Sequence, residues 1–329
     1  MRRRDFLVVS GAVALTGCRT ADVVANSDVT VFADSAARYF PTGVKLETLG
    51  EGYGWSEGPT WDRERDALYF TDVPGNTAYR WAEGEGVSVF LDPSGGTATE
   101  GFREPGANGL WYARDGSLVI CNHGERRVER MDIDTKTRTP LASRYNGQRF
   151  NSPNDVVEAA DGTLYFSDPP YGLEGLDDSP LKEMEANGVY RLSSDGTVER
   201  LLADMTRPNG VALSPDDRTL YIAQSDPDAP ILRALDLGSG AVRTLFDFTP
   251  YSDSPGLPDG IAVAGTGKLF VTGPGGVYLL SPEGEALARV DTGVATANCA
   301  FGGDGSTLYI TAHTKLQRIP TNLTGAQWS

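Results

Sequence analysis

At 329 residues the chain can bury a substantial core, as one large domain or as two. A formal charge of −16, with only 29 basic residues and no basic patch beyond the start of the chain, argues against broad binding to nucleic acid or to an anionic membrane surface. Its 39 glycines and 20 prolines, with many Asp-bearing turns, fit short strands and tight turns better than long helices.

The chain opens with Arg2, Arg3 and Arg4, then a short apolar stretch from Phe6 to Leu15, and Leu15-Thr16-Gly17-Cys18. That order predicts an export signal over residues 1–18. Arg3-Arg4 before Asp5-Phe6-Leu7 resembles a twin-arginine signal, and Leu-Thr-Gly-Cys resembles a lipoprotein processing box that would make Cys18 a lipid anchor. The expected location is the periplasm, free or membrane-anchored. No later stretch offers the roughly 20 continuous apolar residues of a membrane span. Residues 19–40 read as a tether or leading segment. Cys121 and Cys299 fall in separate apolar strands and read as small buried side chains.

From residue 41 to 329 one pattern recurs. Six runs share an apolar and aromatic core: Ala67 to Asp72, Ser117 to Asn122, Thr163 to Asp168, Thr219 to Gln224, Lys268 to Gly273 and Thr307 to Ala312. Spaced by roughly 40 to 55 residues, they match the period of four-stranded propeller blades. A strand over 44–49 precedes the first copy, and the last copy lacks an outer strand. The pattern therefore predicts an all-β, six-bladed β-propeller of antiparallel four-stranded blades, closed by an N-terminal outer strand in the last blade. The largest departure is Pro169 to Asn187, inserted after the second strand of copy three, with a short helix expected at Pro180 to Ala186.

Ahead of each run stands a second echo, beginning at Glu57, Asn108, Asn154, Asn209, Asp259 and Asn298. In a propeller the first strand of each blade lines the axis, so these six residues form a ring at one mouth of the channel. Amide and carboxylate oxygens crowded there need a partner, and a divalent cation satisfies them. An all-oxygen shell favours calcium or magnesium over zinc, and mixed amide and carboxylate ligands at loose spacing suit the flexible shell of calcium, with magnesium, manganese and zinc as alternatives. Such a metal can polarise a carbonyl while a carboxylate, Asp259, deprotonates water. His123 and His313 follow the second strands of copies two and six and form a candidate active-site pair, His123 being the better-tuned base for neutral pH. Tyr171 in the insertion, with Arg149 and Asn151, are candidate substrate contacts. Asn108 and Asn298 complete the polar mouth.

Five motifs now stand in order: Ser56-Glu57-Gly58-Pro59, Asn151-Ser152-Pro153-Asn154-Asp155-Val156, Ser167-Asp168-Pro169-Pro170-Tyr171-Gly172, Arg207-Pro208-Asn209-Gly210 and Leu257-Pro258-Asp259-Gly260. Together they resemble the gluconolactonase family, which includes regucalcin and related lactone hydrolases, over about Val44 to Pro320. The resemblance implies a central divalent metal held by Glu57, Asn154, Asn209 and Asp259, and makes Asp259 the base. It also implies a substrate arginine, placed at Arg149. The implied chemistry is hydrolysis of a sugar lactone. An organophosphate or aryl-ester hydrolase on the same ring, and a nonhydrolytic carbohydrate-binding propeller, are the alternatives.

Overall fold

The protein is described by a computed structural model covering residues 27–328 apart from residue 99. The export signal and Cys18 lie outside the described residues. Among the described residues there is no α-helix, and helical structure is limited to short 3-10 turns.

Six antiparallel sheets, blades 1 to 6, follow one another along the chain. Their innermost strands are Ser56–Asp62, Ala107–Tyr112, Val156–Glu158, Pro208–Leu213, Ile261–Val263 and Asn298–Gly302, each touching the next and the last touching the first. Each blade then steps outward through consecutive hairpins. Glu47–Glu51 pairs with Lys315–Pro320 in blade 6, with Glu47 opposite Arg318, and so closes the ring as the sequence predicts.

The core is six apolar layers, one between each pair of neighbouring blades. Leu110, Ile120 and Met131 meet Tyr69 and Ala78 between blades 1 and 2. Trp61 and Phe70 meet Tyr309 and Leu316 between blades 6 and 1. Second strands such as Ala67–Asp72 and Leu164–Asp168 are therefore covered on both faces and buried at every position. Outer strands such as Val242–Asp247 leave several residues exposed. Cys121 lies in the layer between blades 2 and 3 and Cys299 in that between blades 5 and 6, and both are free thiols.

Of the two forms expected for the segment before the repeats, residues 29–40 take that of a leading segment: Val29–Val31 adds a fifth strand to blade 5, pairing with Ala286–Asp291. Ala36 and Phe40 are buried in the layer behind it. The helix expected at Pro180 to Ala186 is absent. The segment is too short to repay helix nucleation. Lys182 Nζ also takes the carbonyls of Met184 and Glu185, at 2.6 and 3.3 Å. The only helical turn in the insertion is Leu176–Asp178.

Candidate active site at the channel mouth

The innermost strands reach the mouth through irregularities that re-aim their side chains. Blade 1 shifts register between Glu57 and Thr60, blade 2 between Ala107 and Leu110, and blade 4 between Pro208 and Val211. Such bulges turn a side chain out of the alternating pattern. They also bring neighbouring strands unusually close: a Cβ on Gly58 would stand 2.1 Å from the carbonyl oxygen of Asn108, and one on Gly210 2.1 Å from that of Asp259. The Gly that follows Glu57, Asn108, Asn209 and Asp259 is thus an interblade packing requirement.

Glu57, Asn108, Asn154, Asn209 and Asp259 line one cavity of about 350 Å³. Asn298 does not line it. Its Nδ2 stands 3.4 Å from Glu57 Oε2 and its Oδ1 accepts from the Cys299 amide at 2.8 Å, so it holds Glu57 from behind. Glu57 also accepts from the Gly58 amide at 2.9 Å and from Trp55 Nε1 at 3.4 Å. Asn209 donates through Nδ2 to Ser225 Oγ at 2.8 Å.

Burial dominates the electrostatics. It lifts Glu57 to about 7, with the nearby Asp155 carboxylate adding to the effect. Burial lifts Asp259 well above the usual carboxylate range, reinforced by Glu57, Asp155 and Glu104. Asp155, unmarked by the sequence reading, stands where four other repeats carry Gly. Its oxygens accept the Val156 and Val211 amides, both at 3.0 Å, and burial raises it to about 6. That break in the glycine pattern was the available signal.

A cation fits this donor set. Asn209 Oδ1 and Asp259 Oδ1 are buried with no hydrogen-bond partner, on a wall that also carries Glu57 and Asn154. Unmet buried acceptors are costly, and an oxygen-binding ion removes the cost. Among the described residues no group of three His, Cys, Asp or Glu is placed to hold a metal, so the shell depends on its amides.

The remaining expected residues divide. Tyr171 lines the cavity and donates to the Ser225 carbonyl at 3.2 Å. Arg149 does not line it: its Nη2 donates to the Glu125 carbonyl at 3.0 Å and its amide to Glu183 at 2.8 Å. Asn151 is fully buried, its amide on Asp168 Oδ2 at 2.8 Å and its Nδ2 on the Asp168 carbonyl at 3.0 Å, so it braces a loop. His123 is also fully buried, outside the cavity wall, with Nε2 3.4 Å from Asn108 Nδ2. Burial depresses it to about 3, which replaces the expected neutral-pH base with an uncharged ring behind Asn108. His313 is exposed and packs edge-on to Trp55, with ring centroids 5.5 Å apart. No hydrogen bond or ring contact joins the two histidines among the described residues.

The arginine that does line the cavity is Arg103, beside Glu104. Both amides donate to the Gly172 carbonyl, at 3.0 and 3.3 Å, and Phe102 bridges Leu173. The loop leading into blade 2 is thereby fastened to the blade 3 insertion. No repeat position marks Arg103, which is why sequence reasoning missed it. A second cavity, about 200 Å³, opens at the other end of the same inner strands, where Asp155 and Asn298 share the wall with Val156, Val211 and Ile261.

Asp168 carries a stability prediction. Burial raises it from 3.8 to about 7. A carboxyl whose folded pKa is raised contributes stability that is complete below its unfolded value and lost as pH climbs through its folded value. Asp168→Asn is expected to flatten the decline in denaturation midpoint between about pH 4 and 7. A midpoint curve parallel to that of the wild type would refute this.

A ring of small antiparallel sheets around one channel, with acids and amides gathered at one mouth, defines a six-bladed β-propeller with a polar site on its axis. Residues 55–314 match the SMP-30/Gluconolactonase/LRE-like region family, and the chain belongs to it. It is 39% identical over 309 residues to a gluconolactonase of Zymomonas mobilis, covering 90% of this chain and 87% of that protein. Among solved structures, a gluconolactonase of Xanthomonas campestris superposes with a TM-score of 0.77 at 30% identity, covering 89% of this chain and 94% of that one. A calcium-binding regucalcin from Agrobacterium tumefaciens shares the fold, with a TM-score of 0.67 at 20% identity, covering 84% of this chain and 94% of that one.

Proposed function

We propose that this protein hydrolyses sugar lactones at the channel mouth, with a divalent metal, calcium, held by Glu57, Asn154, Asn209 and Asp259. The observation that carries the reading is the pair of unpartnered buried acceptors, Asn209 Oδ1 and Asp259 Oδ1, on a cavity wall of about 350 Å³. The 39% identity to a gluconolactonase supports the reaction class. When bound, the ion would supply Lewis-acid polarisation of the lactone carbonyl.

The chain's own groups do the rest. Asp259, its proton affinity raised by burial and by Glu57, takes a proton from the water that attacks the carbonyl carbon. The bond from that carbon to the ring oxygen breaks, and Asp259 returns the proton to the departing alkoxide. The product is an open hydroxy acid. Asn298, Trp55 and the Gly58 amide keep the Glu57 carboxylate in place. Arg103, Glu104, Asn108, Tyr171 and Thr296 place hydrogen-bonding groups around the substrate space, beside an apolar wall of Trp55, Leu257 and Ala295, and those groups suit the hydroxyls of a sugar lactone. In this reading the leader at residues 1–18 places the activity outside the cytoplasm.

The test is the initial rate of glucono-1,5-lactone hydrolysis by metal-depleted protein, corrected for spontaneous opening, with and without added calcium. Calcium-restored turnover is expected, and a folded, calcium-loaded protein without turnover would overturn the substrate assignment. Arg103→Gln is expected to raise KM about tenfold, equivalent to roughly 1.4 kcal/mol, close to the lower bound for one hydrogen bond to a charged group. Arg149→Gln is expected to leave it within about twofold, as ordinary surface changes do. Steady-state kinetics of the two variants side by side would reveal an error in either placement.

A further inference from the structure

Ser225 stands at the end of the second strand of blade 4, beside the proposed metal shell on which this inference rests. Its Oγ lies 2.6 Å from the carbonyl oxygen of Pro258 and 2.8 Å from Nδ2 of Asn209. A carbonyl oxygen only accepts, so the single hydroxyl proton is committed to Pro258. The Oγ can then only accept from its other neighbour. Whatever end of the Asn209 amide faces Ser225 must therefore be the NH2 group, and the Oδ1 is left on the other side, buried and without a partner in the protein.

An asparagine amide is nearly symmetric in shape, and nothing in its own geometry decides which end faces a ligand. We propose that Ser225 is the positioning residue that sets the orientation of Asn209, presenting Oδ1 rather than NH2 to a cation in the cavity. Its backbone makes the setting rigid. The Ser225 amide donates to the Arg207 carbonyl at 3.0 Å, and its own carbonyl accepts from Tyr171 Oη at 3.2 Å. One residue thus ties the start of the blade 4 inner strand, the cavity wall at Tyr171, and the residue before Asp259. In Ser225→Ala the amide is free to turn, and each turned molecule offers the ion two N–H donors where an oxygen is needed.

The test reads calcium binding directly, by isothermal titration calorimetry of the metal-depleted full chain. Ser225→Ala is expected to weaken calcium binding by about tenfold or more, the usual cost of losing a group that orients a metal ligand, and Ser225→Thr to restore it. A lost structural hydrogen bond alone would weaken binding irrespective of which atom Asn209 presents. The discriminating comparison is therefore made in Asn209→Asp, where both ends of the side chain are oxygen. There Ser225→Ala is expected to cause no further loss. Equal losses in the two backgrounds, or wild-type affinity in Ser225→Ala, would overturn the role given to Ser225 while leaving the metal shell standing. A wild-type protein that binds none of calcium, magnesium, manganese or zinc would overturn the shell, and the role of Ser225 with it.

Discussion

Asp259→Asn is expected to lower kcat/KM for a sugar lactone by about a thousandfold, within the range seen when a general base is removed. The same substitution is expected to raise the unfolding midpoint of the metal-free protein. Both follow from one fact: Asp259 lines the cavity with a buried, unpartnered Oδ1, and desolvation together with Glu57, Asp155 and Glu104 pushes its proton affinity upward. Such crowding is useful to a base and unfavourable to a fold. An amide of the same shape removes the charge and keeps the packing, so the penalty disappears together with the chemistry. Kinetics and thermal unfolding in chelator measure the two halves on one preparation. Activity within tenfold of wild type would remove Asp259 from the reaction, and a lowered metal-free midpoint would show that its carboxylate is structural.

Calcium binding is expected to release protons and to strengthen as pH rises from 6 to 8. Metal ligands must be deprotonated. Without the ion, Glu57 is raised to about 7 and Asp259 well beyond the usual range, so the empty shell holds protons at neutral pH. The sign for stability follows. These raised carboxyls favour the metal-free fold below their ordinary values, and that contribution is lost as pH climbs through about 7. Bound calcium reverses the trend, adding about 2.7 kcal/mol when present at a hundredfold over its dissociation constant. Chelation should therefore depress the unfolding midpoint more at pH 8 than at pH 6. Calorimetry in two buffers of different ionisation enthalpy counts the protons. Affinity that stays constant between pH 6 and 8 would contradict the electrostatics described above.

The fold was legible where burial is two-sided. Runs such as Leu68 to Phe70 and Leu164 to Phe166 are covered on both faces, so they stand out as apolar blocks at a regular spacing. The ring positions were legible because one polar residue recurs at one point of each copy. Legibility failed where a residue reaches the mouth by a route outside the repeat. Arg103 arrives on a connecting loop held by Gly172, whereas Arg149 and Asn151, close to Asn154 in sequence, are turned away by Glu125, Glu183 and Asp168. Adjacency along the chain is a poor guide to adjacency at the mouth, because the approach to each inner strand crosses from outside the ring. His123 misled for a related reason. Its place at a strand end was read correctly, but Gly172 and Asn108 pack over that end and exclude water.

The closure of the last blade bears on when the protein becomes active. Glu47–Glu51 waits for Lys315–Pro320, and Glu57 in blade 1 takes its support from Asn298 in blade 6. A ribosome must deliver nearly the whole polypeptide before the first acidic residue of the mouth acquires its final brace. Partial products carry the other candidate ligands yet lack the circle that aims them. Truncation near the carboxyl end is thus a lesion at the opposite end of the gene product, and competence arrives as a single late event rather than blade by blade.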